Sequence, residues 1–266
     1  MPRWFKSCLT AAGMMLLATG CPGAGAGDAD ELLSQSISGL LGEDDIAFAG
    51  ATMVEMSDAA IRSGFSFTGR VNDHHEINIQ PEVEEQDDGY TASALEVSGA
   101  LSYARVNRQW TVSHGSDKQL HPMFTLNPII HAEHLNRTAQ DVAIVAGEAL
   151  QEGTIVLRAA VDQEHLLEDV RKLLRSEHER IIAEAREEVR GEDNEQLAAE
   201  LEQTVQQAEK QLAQILESLR VDSEYRIVVD KRSRRLLELI YTARLRYKLD
   251  EQPHEEAIRT SYQFQE

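Results

Sequence analysis

Few residues in this chain are of a type and spacing that could do chemistry. His131-Ala132-Glu133-His134 sets two imidazoles three positions apart, close enough on one helix face to share a metal ion. The run lacks the His-Glu-x-x-His order that joins two ligands to a general base, and two ligands without a third make no strong zinc site. The pattern is therefore expected to be a pair of surface histidines. His74-His75 follows Asp73 in what reads as a hairpin turn, where neighbouring side chains of an extended chain point opposite ways and do not share an ion. The acids from Glu82 to Asp88 lack the spaced Asp-x-Asp-x-Asp-Gly pattern of a calcium loop and read as a solvated loop. There is no Gly-x-Ser-x-Gly elbow and no phosphate-cradling glycine loop. With 46 acidic residues, no acid/base pair can be singled out by type. No catalytic residue, metal ligand or cofactor is expected, and the chain reads as a binding protein, not an enzyme.

Cys21 has a chemistry of its own. Arg3 and Lys6 precede an apolar run, Leu9 to Ala18, that is too short to span a bilayer. Ala18-Thr19-Gly20-Cys21 follows, and it resembles the lipobox of bacterial lipoproteins, with Ala18 where leucine is usual and Leu16 and Leu17 just upstream. The resemblance implies a signal peptide over residues 1–20, cleavage before Cys21 and acylation of that cysteine with palmitate-type chains. It also implies a protein held by lipid to the extracytoplasmic face of the cell membrane. An ordinary secretory signal with an incidental cysteine is the alternative; Cys8 is a poor anchor because Lys6-Ser7 interrupts the apolar run before it. Residues 21–30, rich in glycine and alanine, would be a flexible tether ahead of a domain over 31–266. After cleavage no second cysteine remains, so the fold must rest on packing without a disulfide. The net charge of −20, more negative still once Arg3 and Lys6 are removed, repels phosphate backbones and excludes nucleic acid as a partner.

The elements that must position any site are strongly patterned. From Leu237, the residues Leu237, Leu239, Tyr241, Ala243, Leu245 and Tyr247 alternate with Glu238, Thr242, Arg244 and Arg246, the period of a half-buried strand. Tyr225, Ile227 and Val229 precede it across the polar turn Asp230–Ser233. Ile258, Thr260, Tyr262 and Phe264 resume the pattern after a break at Gln252-Pro253-His254, giving a three-stranded meander. Upstream, Asp28–Leu41 reads as a helix ending at Gly42, Ile46–Met56 as extended, and Phe65–Val71 with Ile77–Ile79 as a hairpin. Ala92–Val112 gives two strands around Asn107-Arg108, carrying Tyr103 and Trp110. Leu126-Asn127-Pro128 leads into a short helix, and residues near 143–145 and 155–157 are extended.

Residues 162–222 differ in kind: no proline, one glycine, and a heptad seam of Leu201, Val205, Ala208, Leu212, Ile215 and Leu219. Leu167, Val170, Leu174 and Ile181 form a looser stripe. Gly191–Asn194 divides the two, with Asp193 and Gln196 as a capping box. Two antiparallel helices of roughly 40 Å each are expected, inserted between strands 155–161 and 225–229 that must pair in one sheet. Their base should pack on the sheet and their tip should be solvated.

The lipobox, the opening helix, the Tyr103…Trp110 strands, the Leu126-Asn127-Pro128 lead-in and Tyr225–Lys231 running into a long strand together resemble the LolA/LppX-type lipoprotein-carrier superfamily. That likeness implies an α+β fold, a curved antiparallel sheet forming an unclosed half-barrel covered by helices. It also implies a role in carrying lipid or another hydrophobic cargo, although relatives serve as envelope-stress sensors. The inserted hairpin is longer than the family commonly has. The expected cargo lining is Phe65, Phe67, Leu237, Leu239, Tyr241 and Leu245 of the strands, with Leu212 and Ile215 of the helices. The alternative is an envelope interaction or sensor protein whose helical hairpin engages a protein partner.

Overall fold

A computed structural model describes residues 26–56, 61–82, 99–115, 121, 123–147, 152–190 and 195–265. The expected signal peptide, Cys21, the acidic run after Glu82 and the expected Gly191–Asn194 divide lie outside the described residues. Ten strands form one antiparallel sheet: β1 (Asp45–Met56), β2 (Ile61–Asn72), β3 (Glu76–Glu82), β4 (Leu101–Val106), β5 (Gln109–His114), β6 (Ala139–Ile144), β7 (Thr154–Val161), β8 (Arg220–Asp230), β9 (Leu236–Leu249) and β10 (Gln252–Phe264). Their order across the sheet is β5-β4-β3-β2-β1-β10-β9-β8-β7-β6. The first strand and the last therefore pair at the centre, with Phe48 opposite Phe264 and Thr52 opposite Thr260.

Short turns set much of the register. Two residues, Asn107-Arg108 and Asp250-Glu251, join β4 to β5 and β9 to β10, and three, Asp73 to His75, join β2 to β3; Asp73, His74 and both residues of the other two turns have positive φ, the backbone whose twist matches that of the strands it joins. The Asp250-Glu251 turn corrects the expected break at Gln252-Pro253-His254. The chain reverses two residues earlier, and Pro253 already pairs with Lys248 near the start of β10. A second correction concerns Leu237. Between β8 and β9, Val228 lies opposite Glu238 but Val229 lies opposite Leu236, so Leu237 is the extra residue of a bulge. Leu236 is buried in its stead, and Leu237 is only half-buried.

The sheet rolls into an unclosed half-barrel. The Tyr262 hydroxyl on β10 donates to the Thr125 carbonyl at 3.2 Å, and the Tyr103 phenol on β4 lies beside the same Thr125. Those strands are four places apart, about 19 Å on a flat sheet, so one residue can meet both only if the sheet curls. Helices cover the inner face. α1 (Ala26–Gly42) buries Ala29, Leu32, Leu33, Ile37 and Leu40. α2 (Pro128–Thr138) starts where the Asn127 side chain accepts from the Ile129 and Ile130 amides at 2.9 and 3.2 Å, with proline in its first turn.

The inserted hairpin is α3 (Gln163–Arg190) and α4 (Glu195–Ser218), lying in sequence between the paired strands β7 and β8 as expected. Asp162 caps α3 by accepting from the amides of Glu164 and His165. Leu166 and Val170 anchor its first turns in the core. α4 is tied to the end of β9, where the Lys248 amide donates to the Ser218 hydroxyl at 2.8 Å. Farther out the two helices hold each other, Arg186 forming a two-pronged pair with Glu202, while Ile181 is 55% exposed. Among the described residues, no helix is long and apolar enough to cross a membrane.

Candidate functional site

Alternation along five adjacent strands places Phe67 (β2), Phe48 (β1), Tyr262 (β10), Tyr241 (β9) and Tyr225 (β8) side by side on the inner face, all fully buried. Phe67 and Tyr262 have ring centroids 5.8 Å apart and Tyr225 and Tyr241 4.9 Å apart. The imidazole of His131 descends from α2 into the middle of the row, 5.0 Å from Tyr241, 5.4 Å from Tyr262 and 5.8 Å from Tyr225. The result is an aromatic floor with one polar knot.

His131 and its neighbour thus correct the expectation of surface histidines: His131 is fully buried and His134 half-buried. The first turn of α2 is enclosed on all sides, because Pro128 to Ala132 are all buried. His131 Nε2 lies 3.3 Å from the Thr125 carbonyl, which can only accept, so Nε2 carries the proton and Nδ1 is bare. The Tyr225 hydroxyl, 3.0 Å away, donates to that Nδ1. Its oxygen is also 3.1 Å from Nδ1 of His134, which must then be the protonated nitrogen and the donor. Every group in this chain is uncharged. Burial holds His131 down to about 3, with His134 adding to the effect, and burial first and then Arg137 hold His134 down to about 4. Burial also pushes the Tyr225 and Tyr262 phenols well above their ordinary value.

Around the knot, several buried polar atoms make no hydrogen bond: the hydroxyls of Tyr103, Tyr241 and Ser223 and the side-chain nitrogen Nδ2 of Asn127. Thr125 beside Tyr103 and Ser223 beside Tyr241 are close enough to temper the rise in those phenols' pKa, Tyr103 reaching about 12, without closing a bond of normal geometry. Leaving such a group dry and unpaired costs about 1–3 kcal/mol. Chemically the arrangement can offer neutral hydrogen-bonding groups inside an apolar enclosure. It is unsuited to acid/base work near neutral pH, since its titrating groups lie far from that range. Among the described residues no three His, Cys, Asp or Glu side chains converge to hold a metal.

Of the residues expected to line a cargo site, Phe67, Leu239, Tyr241 and Leu245 meet on the inner face within the core, and Phe65 packs half-buried beside Phe67 with centroids 6.3 Å apart. Leu237 is removed from that row by the bulge. Leu212 and Ile215 are half-buried on α4 and do not join the core cluster. Sequence reasoning missed His131, Thr125 and Tyr262 as members of the centre. The one available signal was His131 standing inside the apolar run Ile129-Ile130-His131-Ala132.

No protein-family profile and no curated protein sequence matches the chain. Solved structures that resemble it include one titled for lipid–protein interactions in lipovitellin, 8% identical, TM-score 0.33, covering 84% of this chain and 25% of that one. A putative outer membrane lipoprotein-sorting protein domain from Vibrio parahaemolyticus is 8% identical, TM-score 0.27, covering 91% and 94%. A LolA superfamily protein from Nitrosomonas europaea is 7% identical, TM-score 0.27, covering 90% and 91%. The chain spans about a quarter of the lipovitellin chain's length.

Proposed function

We propose that this chain is an extracytoplasmic binding protein, tethered to the membrane through acylated Cys21, that carries an apolar cargo between its sheet and its helical roof. The observation that supports this most is the pairing of a mainly aromatic and aliphatic inner face, interrupted by the hydrogen-bonded Thr52–Thr260 pair, with buried hydroxyl and amide groups left without partners. A core built for stability alone would hold phenylalanine at Tyr103 and Tyr241, because an unpaired phenol only costs free energy there. An amphiphile that brought its own polar group would supply the missing bonds, its chain lying along Phe65, Phe67, Leu239, Tyr241 and Leu245. Because the inner side chains pack against one another, cargo enters by displacing α2 and the base of the hairpin. Titration with a fluorescent acyl probe tests this. Saturable uptake that Leu239→Trp abolishes in a protein that still melts cooperatively, at a temperature lowered by overpacking, is the expected result, and uptake unchanged by Leu239→Trp counts against it.

A second reading has one observation in its favour: beyond Val170, no residue of α3 is fully buried, and Ile181 lies open on the distal hairpin. Such a surface suits a protein partner, as in an envelope sensor. Ile181→Glu separates the two readings, since it would break a partner contact and leave probe uptake intact.

A further inference from the structure

On the face of the sheet opposite the buried aromatic row, β1, β10, β9 and β8 shape an open groove of about 530 Å³, within the range of roughly 300–1,000 Å³ usual for small-molecule sites. Alternation supplies its lining, including Met53 of β1, Ile240, Thr242 and Arg244 of β9, and Ala257 and Arg259 of β10. Met53 is one of three large apolar side chains exposed among the described residues, at 43%. The charges are more telling. In a chain with 46 acids and 26 lysines and arginines, a cation should readily find a carboxylate, yet the acids about this groove are committed elsewhere. Glu255 pairs with Arg246 at 3.1 Å, Glu224 with Arg158 at 3.6 Å and Glu238 with Arg226 at 3.2 Å, and Glu55 also has a partner. Arg244 and Arg259 make no ion pair or hydrogen bond among the described residues.

Their register brings these two together. Arg244 lies opposite Ala257 and Arg259 opposite Thr242, so they are diagonal neighbours on adjacent strands, roughly 7–8 Å apart. At that spacing two long side chains can close their planar forks on one anionic group.

We propose that this groove is a second ligand site, separated from the interior by the sheet itself, which binds an amphiphilic anion: a phosphate or carboxylate head held between Arg244 and Arg259, and a short apolar tail along Met53, Ile240 and Ala257. The site does not depend on the cargo reading of the interior. Calorimetric titration of the full-length chain with decyl phosphate, decanol and inorganic phosphate separates head from tail. Decyl phosphate is expected to bind roughly tenfold or more tightly than either of the others. Arg244→Gln/Arg259→Gln should lose that advantage at an unchanged melting temperature. The charge-matched Lys172→Gln/Arg190→Gln, on the hairpin, should keep it, as should Leu239→Trp, which addresses only the interior. Wild-type affinity in the double arginine variant, or decyl phosphate binding no better than decanol or free phosphate, overturns the proposal.

Discussion

Tyr225 stands between two imidazoles with one proton to give, and that restriction fixes the tautomer of each. Tyr225→Phe leaves His131 Nδ1 and His134 Nδ1 without a partner and should cost about 2–6 kcal/mol in urea unfolding, at roughly 1–3 kcal/mol for each stranded group. Tyr241→Phe removes a hydroxyl that bonds to nothing. It should be neutral or stabilising by up to about 1 kcal/mol when measured without cargo. Acid provides a further check. The folded-state values of His131 and His134 are depressed to about 3 and about 4, below the ordinary 6.5, so the unfolded chain takes up protons that the folded chain refuses. Stability from these groups is complete above about pH 6.5 and falls as pH drops toward those lower values, by up to roughly 1.4 kcal/mol per pH unit for each. Many carboxylates titrate over the same window, so the informative quantity is a difference. The stability gap between wild type and His131→Leu should narrow steadily between pH 7 and 4.5, and a constant gap would show that His131 does not resist protonation.

At the scale of elements, the strands were legible because the inner face alternates and the turns carry residues suited to them. The helical insertion was legible because residues 162–222 switch to a heptad. Val205 and Leu219 of that seam are buried, and the cap at Asn127 sits where Asn-Pro announced it. Leu237 was misplaced for a physical reason. A bulge depends on how two strands share their hydrogen bonds, and alternation within one strand does not encode it. The consequence is measurable: Leu237→Asn should cost less than about 1 kcal/mol, whereas Leu239→Ala, two residues on and fully buried, should cost about 2–5 kcal/mol. The histidine knot was hidden similarly, because the partner that makes His131 a core residue lies 94 positions away. Gly69 belongs at this scale too. A methyl group there would run into the Phe48 ring and come within 3.0 Å of the Asn78 carbonyl, so Gly69→Ala should lower stability by about 1–3 kcal/mol through overpacking.

For the whole molecule, a sheet rolled far enough for β4 and β10 to meet at Thr125 has an inner face that only helices can close. That roof is assembled from α1, α2 and the base of a hairpin whose outer half lies largely exposed. The overall excess of acidic residues works against broad adsorption to anionic surfaces, and in the proposed reading acylated Cys21 would supply the attachment to a membrane. The most direct test of the carrier reading is native mass spectrometry of the protein purified from its own membrane. The account predicts a population carrying a noncovalent amphiphile that is lost on denaturation, together with an acylated cysteine at the new N-terminus. Protein that flies only at the mass of the bare chain, and takes up no acyl lipid when challenged, would contradict it.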